Sequence, residues 1–244
     1  AIGAWQNDGA GEDSGHTRVF DWDGLQWLQR GSDIDGVAAG DRSGTSVSIN
    51  SSGTMVAIGA PFNDAINENS GRVRVYEWIE TENVWSQKGQ NIDGEVAACS
   101  EGVIYSDSDG DGVTDSCGDE SGWSSSISGD GLLLAIGAWK NDGNGDRSGH
   151  TRIYAWRDQT NRWEQVGADL DGERSGDQSG WKTKLSRDGA VLAVGAFGND
   201  DGVANAGHAR VFNIFKNGDA FPLDSSETED TDFDGTGNNA DADD

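Results

Sequence analysis

Hydrophobic and polar positions alternate through Ser46-Val47-Ser48-Ile49, and a turn-forming Asn50-Ser51-Ser52-Gly53 follows. Thr54 to Ala60 is then an almost unbroken apolar run, the pattern of a strand buried on both faces. After a polar loop over 62–70, Gly71-Arg72-Val73-Arg74-Val75-Tyr76-Glu77-Trp78 alternates strictly and predicts a third strand. Asn83 closes a hairpin, and Trp85-Ser86-Gln87-Lys88-Gly89 reads as a fourth strand at the outer edge.

The same unit recurs. The buried second strand returns as Ala1-Ile2-Gly3-Ala4-Trp5, Ala57-Ile58-Gly59-Ala60-Pro61, Ala135-Ile136-Gly137-Ala138-Trp139 and Ala193-Val194-Gly195-Ala196-Phe197, at steps of 56, 78 and 58 residues. Third strands recur at Thr17-Arg18-Val19-Phe20, Thr151-Arg152-Ile153-Tyr154 and Ala209-Arg210-Val211-Phe212, and fourth strands at 27–31 and 163–167. The units are joined by Asp33-Ile34-Asp35-Gly36, Asn91-Ile92-Asp93-Gly94 and Asp169-Leu170-Asp171-Gly172. A period near 57 is too long for most helical solenoids and suits a four-stranded propeller blade. The expected fold is therefore all-β: a β-propeller of four blades, each of four antiparallel strands. The first blade is incomplete, because its unit opens on the second strand, and the last reaches a weak fourth strand near Ala220-Phe221. Either residues upstream are missing or another chain supplies the absent strand. With no signal peptide and no initiator Met, the chain reads as a processed or excised piece, possibly of a larger propeller.

Composition refines this picture. Gly is 37 of 244 residues against 2 Pro, and the glycines recur at fixed repeat positions, as turns between short strands require. Seventeen Lys and Arg against 44 Asp and Glu give a net charge of −27. Such a surface repels phosphate backbones and anionic membranes, which argues against nucleic-acid binding. It leaves divalent cations, basic proteins, neutral glycans or a saline habitat as explanations. No stretch approaches the roughly 20 apolar residues that span a bilayer. The blades occupy 1–223, and the acidic tail 224–244 reads as disordered or as a linker.

The elements Gly44-Thr45-Ser46-Val47-Ser48, Val56-Ala57-Ile58-Gly59-Ala60-Pro61 and Gly71-Arg72-Val73-Arg74-Val75-Tyr76 resemble the FG-GAP repeat, which builds the propeller of integrin α subunits and of many surface proteins. The resemblance implies an extracellular, non-catalytic adhesion or scaffold module. Its partners would be other extracellular proteins or copies of itself, with glycans as an alternative. The family's calcium loop lies between first and second strands. Here those turns, 50–53, 128–131 and 186–189, are short and poor in carboxylates, so calcium is not expected on the blades.

One unit breaks the rhythm. Its 78-residue step holds an insertion over 98–117 flanked by Cys99 and Cys117, the two cysteines of the chain. A disulfide between them would close a 19-residue loop, contributing about 3 kcal/mol and implying an oxidising compartment. Inside lies Asp107-Ser108-Asp109-Gly110-Asp111-Gly112-Val113-Thr114-Asp115. Its carboxylates at positions 1, 3, 5 and 9, with Gly at 6 and a carbonyl at 7, follow EF-hand spacing. The expected Ca2+ ligands are Asp107, Asp109, Asp111, the Val113 carbonyl and Asp115, with Asp119 or Glu120 in place of the missing Glu at position 12. With its cysteines this stretch looks like a thrombospondin type 3 calcium repeat.

Other recurring residues carry smaller expectations. His16, His150 and His208 share one repeat position, which Arg72 fills in the remaining copy; each is expected to make a blade-stabilising hydrogen bond. Arg18, Arg74, Arg152 and Arg210 recur on the third strands with the same expected role. Asn7-Asp8, Asn63-Asp64, Asn141-Asp142 and Asn199-Asp200 open each loop after the second strand, where Asx residues cap turns. Trp22/Trp78/Trp156 and Trp27/Trp85/Trp163 read as packing between blades. Trp5, Trp123, Trp139 and Trp181 stand at loop or strand starts and suit either packing or sugar stacking. Asn50-Ser51-Ser52 is an N-glycosylation sequon. The expected activity is therefore calcium-supported adhesion or assembly without catalysis, and the alternative is a carbohydrate-binding or glycan-processing propeller.

Overall fold

A computed structural model describes residues 1–95, 118–200, 203 and 206–214. All of its regular structure is β, in four successive blades. Blade 1 holds β1 (Ile2–Ala4), β2 (His16–Arg18), β3 (Phe20–Trp22), β4 (Trp27–Gln29) and β5 (Ile34–Asp35). Blade 2 holds β6 (Ser46–Ile49), β7 (Met55–Ala60), β8 (Arg72–Ile79), β9 (Val84–Gln87) and β10 (Ile92–Asp93). Blade 3 repeats this with β11 (Ser124–Ile127), β12 (Leu133–Ala138), β13 (His150–Arg157), β14 (Arg162–Gln165) and β15 (Leu170–Asp171). Blade 4 is described as far as β16 (Ser179–Leu185), β17 (Val191–Ala196) and β18 (His208–Asn213). The expected fourth strand of that blade lies outside the described residues, as does the tail.

Within a complete blade the strands run antiparallel in chain order, β6-β7-β8 and β11-β12-β13. The linking phrases, expected as mere connections, form two-residue strands. In blade 3, β15 pairs with the first half of the third strand (His150↔Asp171, Thr151↔Leu170) and β14 with its second half (Tyr154↔Gln165 to Arg157↔Arg162). In blade 1 the third strand divides into β2 and β3 around Val19.

Why the second strand is apolar throughout follows from the stacking of blades. Val56 and Ile58 face blade 1, packing with Val19 and Ile34, while Met55 and Ala57 face blade 3, packing with Leu134 and Ile136. Leu133 and Ala135 of β12 turn the other way, onto Leu185, Leu192 and Val194 of blade 4. The repeated glycine has its own cause. A Cβ on Gly59 or Gly137 would collide with the Gly122 or Gly180 carbonyl of the next blade, whereas Gly195 has nothing nearer than 3.7 Å. Only glycine lets these backbones approach so closely.

Polar groups lock the same interfaces. Ser46 Oγ donates to the Gly122 carbonyl and Ser124 Oγ to the Gly180 carbonyl, each at 2.8 Å. The third-strand arginines reach back toward the preceding blade, a contact between blades that their recurrence alone did not specify. Arg74 donates to the Asp35 carbonyl (2.8 Å) and Ser43 Oγ (3.4 Å), and Arg152 to the Asp93 carbonyl (3.0 Å) and Ser121 Oγ (3.3 Å). Arg210 makes the same pair of bonds to Asp171 and Ser179.

Candidate functional site

The second strands end, and the first strands begin, at one end of the blades, so the side chains placed there converge. Trp123 and Trp181 open the first-strand segments of blades 3 and 4; Trp139 and Phe197 follow the second strands of the same blades. Their rings form a continuous cluster: Trp123–Trp181 and Trp139–Trp181 at 4.9 Å, Trp123–Trp139 at 5.7 Å, and Trp181–Phe197 at 4.5 Å between centroids. Phe62 extends it, edge-on to Trp123 at 6.5 Å. A depression of about 310 Å3 opens beside this cluster, lined by Trp5, Arg42, Thr45, Phe62, Trp123 and Trp181.

Charge shapes this surface as well as aromaticity. The Arg42 guanidinium lies over both Phe62 (4.4 Å) and Trp5 (5.1 Å), and Lys182 also lines the depression. Beneath the floor, the buried Glu120 accepts from Trp139 Nε1 at 2.8 Å and pairs with Lys140 at 2.7 Å. Burial pushes its carboxyl above the usual range, against the pull of Lys140. Arg42, Glu120 and Gln178 hold one repeat position, all at positive φ, so Glu120 is a carboxylate that the repeat itself does not require. It fixes the orientation of one floor ring. Such a cluster of aromatic rings with cations at its rim can offer a ring face to a sugar and bond its hydroxyls or acidic groups.

A second group of residues sits where the third strand meets the link. His16 Nδ1 is 3.4 Å from Asp33 Oδ2, and His150 Nδ1 is 3.6 Å from Asp169 Oδ2 and 3.9 Å from Glu95 Oε2. The ligand atoms of His16, Asp33 and Asp35, and those of Glu95, His150 and Asp169, each lie within 4.8 Å of one another, so both groups can hold a metal ion. The expectation that these histidines make blade-stabilising hydrogen bonds is corrected at His150. Its side chain is 1% exposed, and neither ring nitrogen has a hydrogen-bond partner. Burial, with the Arg152 guanidinium next, lowers the imidazole to about 4. The signal was present in the sequence: where copy 2 replaces His by Arg72, it also replaces Asp33/Asp169 by Asn91.

The FG-GAP repeat model matches residues 34–76 and 108–154, which bracket the link and first three strands of blade 2 and the corresponding strands of blade 3. The chain carries FG-GAP repeats at these two places. No curated protein matches it. Among solved structures it is similar to a periplasmic gluconolactonase of Pseudomonas aeruginosa, at 11% identity and TM-score 0.44 over 80% of this chain and 45% of that one. It is also similar to a putative 6-phosphogluconolactonase of Bacteroides uniformis, at 13% identity and TM-score 0.40 over 82% of this chain and 48% of that one. The chain spans less than half the length of either. The expectation of a non-catalytic module does not stand: these two solved structures are described as lactonases, and a propeller fold does not by itself exclude catalysis.

The remaining expected residues of this FG-GAP protein divide in two. Asp107, Asp109, Asp111, Val113, Asp115, Cys99 and Cys117 lie outside the described residues. Asp119 and Asn50 are described, and both are bound into blade structure. Asp119 is buried and accepts from Glu95 N (3.3 Å), as Asp41 accepts from Ala38 N and Asp177 from Glu173 and Arg174 N. Burial raises its carboxyl to about 6. Asn50 is buried too, its Oδ1 accepting from Thr54 and Met55 N and its Nδ2 donating to Ser52 Oγ. The Asx positions behave as expected: Asp8, Asp64 and Asp142 each accept from a backbone N–H five residues on, at 2.8–2.9 Å.

Proposed function

We propose that this FG-GAP propeller segment binds carbohydrate in the aromatic depression formed by Trp5, Phe62, Trp123 and Trp181. The observation that carries this reading is the ring cluster itself. Six aromatic side chains from all four blades meet at one end, and two remain substantially open, Trp5 at 40% and Phe197 at 49% exposure. The cavity is at the lower end of the range for small-molecule clefts, about 300 Å3 and upward, which suits a short saccharide. Arg42 and Lys182 bring cations to it in a chain of net charge −27, favouring sugars that carry an acidic group.

An adhesive role through neighbouring proteins is compatible with the same surface, and an extracellular setting belongs to the same reading, in keeping with the FG-GAP repeats. The insertion over 98–117 is read as a Ca2+-ordered loop on the spacing of its aspartates. A glycan array followed by calorimetry tests the main reading. Trp5→Ala and Phe62→Ala, both at rings lining the depression, should each weaken glycan binding about tenfold, the equivalent of one ring contact, while Trp27→Ala on another surface should not. Absence of any glycan ligand, or unchanged affinity in both floor variants, overturns it.

A further inference from the structure

We propose that Glu95, His150 and Asp169 form a binding site for a divalent transition-metal ion of the zinc class, at the junction of blades 2 and 3. His150 carries the argument. Its ring is buried, both nitrogens are without hydrogen-bond partners, and Nδ1 faces two carboxylates across 3.6 and 3.9 Å. Those gaps are too long for hydrogen bonds. They approach the edge of a tetrahedron, about 3.3–3.5 Å, built on metal–ligand bonds of about 2.0–2.2 Å. Buried polar atoms are normally satisfied, and an ion at the centre of this triangle would give His150 Nδ1 a partner and join it to both carboxylates.

Comparison of the blades isolates this site from its repeats. At the equivalent place in blade 2 the cation is built into the chain: Arg72 Nε donates to Asp93 Oδ1, and the second carboxylate has become Asn91. In blade 1, Arg18 forms a two-pronged bond to both oxygens of Asp33, at 2.9 and 2.8 Å, leaving that carboxylate compensated. Blade 3 has neither arrangement. Its Arg152 is drawn away to the blade 2 link, leaving Nη1 3.8 Å from Glu95. Asp169 Oδ1 is held by Gln165 Nε2 at 2.7 Å, which aims Oδ2 at His150. Blade 2 thus puts arginine where the imidazole stands, blade 1 pairs the carboxylate beside His16 with Arg18, and blade 3 presents its imidazole to carboxylates that no two-pronged arginine compensates. An imidazole with carboxylates selects zinc-class ions over calcium, and three protein ligands leave a coordination position open to water.

The purified chain, saturated with Ca2+ to fill other acidic sites, is titrated with ZnCl2 by calorimetry and then with CoCl2 while visible absorption is recorded. One equivalent of Zn2+ should bind, and Co2+ should develop the ligand-field bands of a low-coordinate nitrogen–oxygen site. His150→Gln should abolish both signals. Glu95→Gln, at a side chain 43% exposed and therefore harmless to folding, should weaken binding at least tenfold. Gln165→Ala, which frees Asp169 to rotate, should weaken it by about 10–100-fold. Asp33→Asn in blade 1 should change nothing. Absence of a stoichiometric Zn2+ site, or retention of full affinity by folded Glu95→Gln, overturns the proposal.

Discussion

Blades 1 and 3 carry the same pair of tryptophans in the same strands, and the pairs have nearly the same geometry. Trp22 and Trp27 meet at 5.3 Å, Trp156 and Trp163 at 5.6 Å. Yet Trp22 and Trp27 are 54% and 65% exposed, against 7% and 2% for Trp156 and Trp163. The difference lies entirely in the neighbour. The backbone of Gly89 lies against Trp156 and Trp163, Lys88 Nζ stacks over Trp156 at 4.6 Å, and the Lys88 carbonyl accepts from Trp163 Nε1 at 3.0 Å. Gly31 and Arg30 treat Trp78 and Trp85 in the same way. Among the described residues nothing covers the pair in blade 1. A blade therefore specifies half of an interface, and the value of each residue depends on whether the other half is present.

The sharpest way to break this comparison is at the glycines of the second strand. Gly137→Ala should destabilise by more than about 3 kcal/mol, beyond ordinary overpacking, because the obstructing atom is the Gly180 backbone of blade 4 and not a movable side chain. Gly195→Ala, at the same repeat position, has open space and should leave the denaturation midpoint nearly unchanged. Chemical denaturation of the two variants decides it. Similar losses would mean that the glycine serves its own strand and not the neighbour.

The tryptophans come next in size. Trp163→Ala should cost about 3–5 kcal/mol, as for a large ring lost from a packed core. Trp27→Ala should stay within about 1 kcal/mol. Equal effects would show that the pair matters within its own blade, through the aromatic contact alone.

Much of this architecture was legible in the sequence, for a physical reason. Repeats superpose equivalent positions, so the two-faced burial of Val56-Ala57-Ile58, the stabilising role of the third-strand arginines and the Asx turns could each be read from four copies. What escaped was contact between copies and between distant elements of one copy. The Trp123–Trp139–Trp181 cluster was open to either reading, because nothing in a linear repeat says which ends converge on one surface. The pairing of His150 with Asp169 was missed since the register His150↔Asp171 joins residues 21 apart across a short link strand. The insertion was the opposite case: its aspartate spacing was explicit in the sequence, whereas the described residues reach only its rim at Glu95 and Asp119.

The smallest effect tests the comparison most finely, because it concerns one side chain doing two things. Arg18 and Arg74 hold the same repeat position. Arg74 is buried and gives its Nη2 to the Asp35 carbonyl and Ser43 Oγ of blade 1, with Nη1 on Tyr76 Oη at 2.6 Å. Arg18 has no such neighbour among the described residues and turns instead to Asp33 on its own link, in water. Removing Arg74 strands the Asp35 carbonyl and the buried Ser43 hydroxyl, so Arg74→Ala should cost about 1.5–3 kcal/mol, the range for hydrogen bonds from a charged group. Arg18→Ala removes an exposed ion pair, screened and entropically costly to hold, and should leave stability unchanged within error. Raising salt should narrow no gap between the variants, because the Arg74 bonds go to neutral acceptors. A salt-dependent difference would instead assign the arginine to surface electrostatics in both blades, and the idea of a clamp between blades would fail.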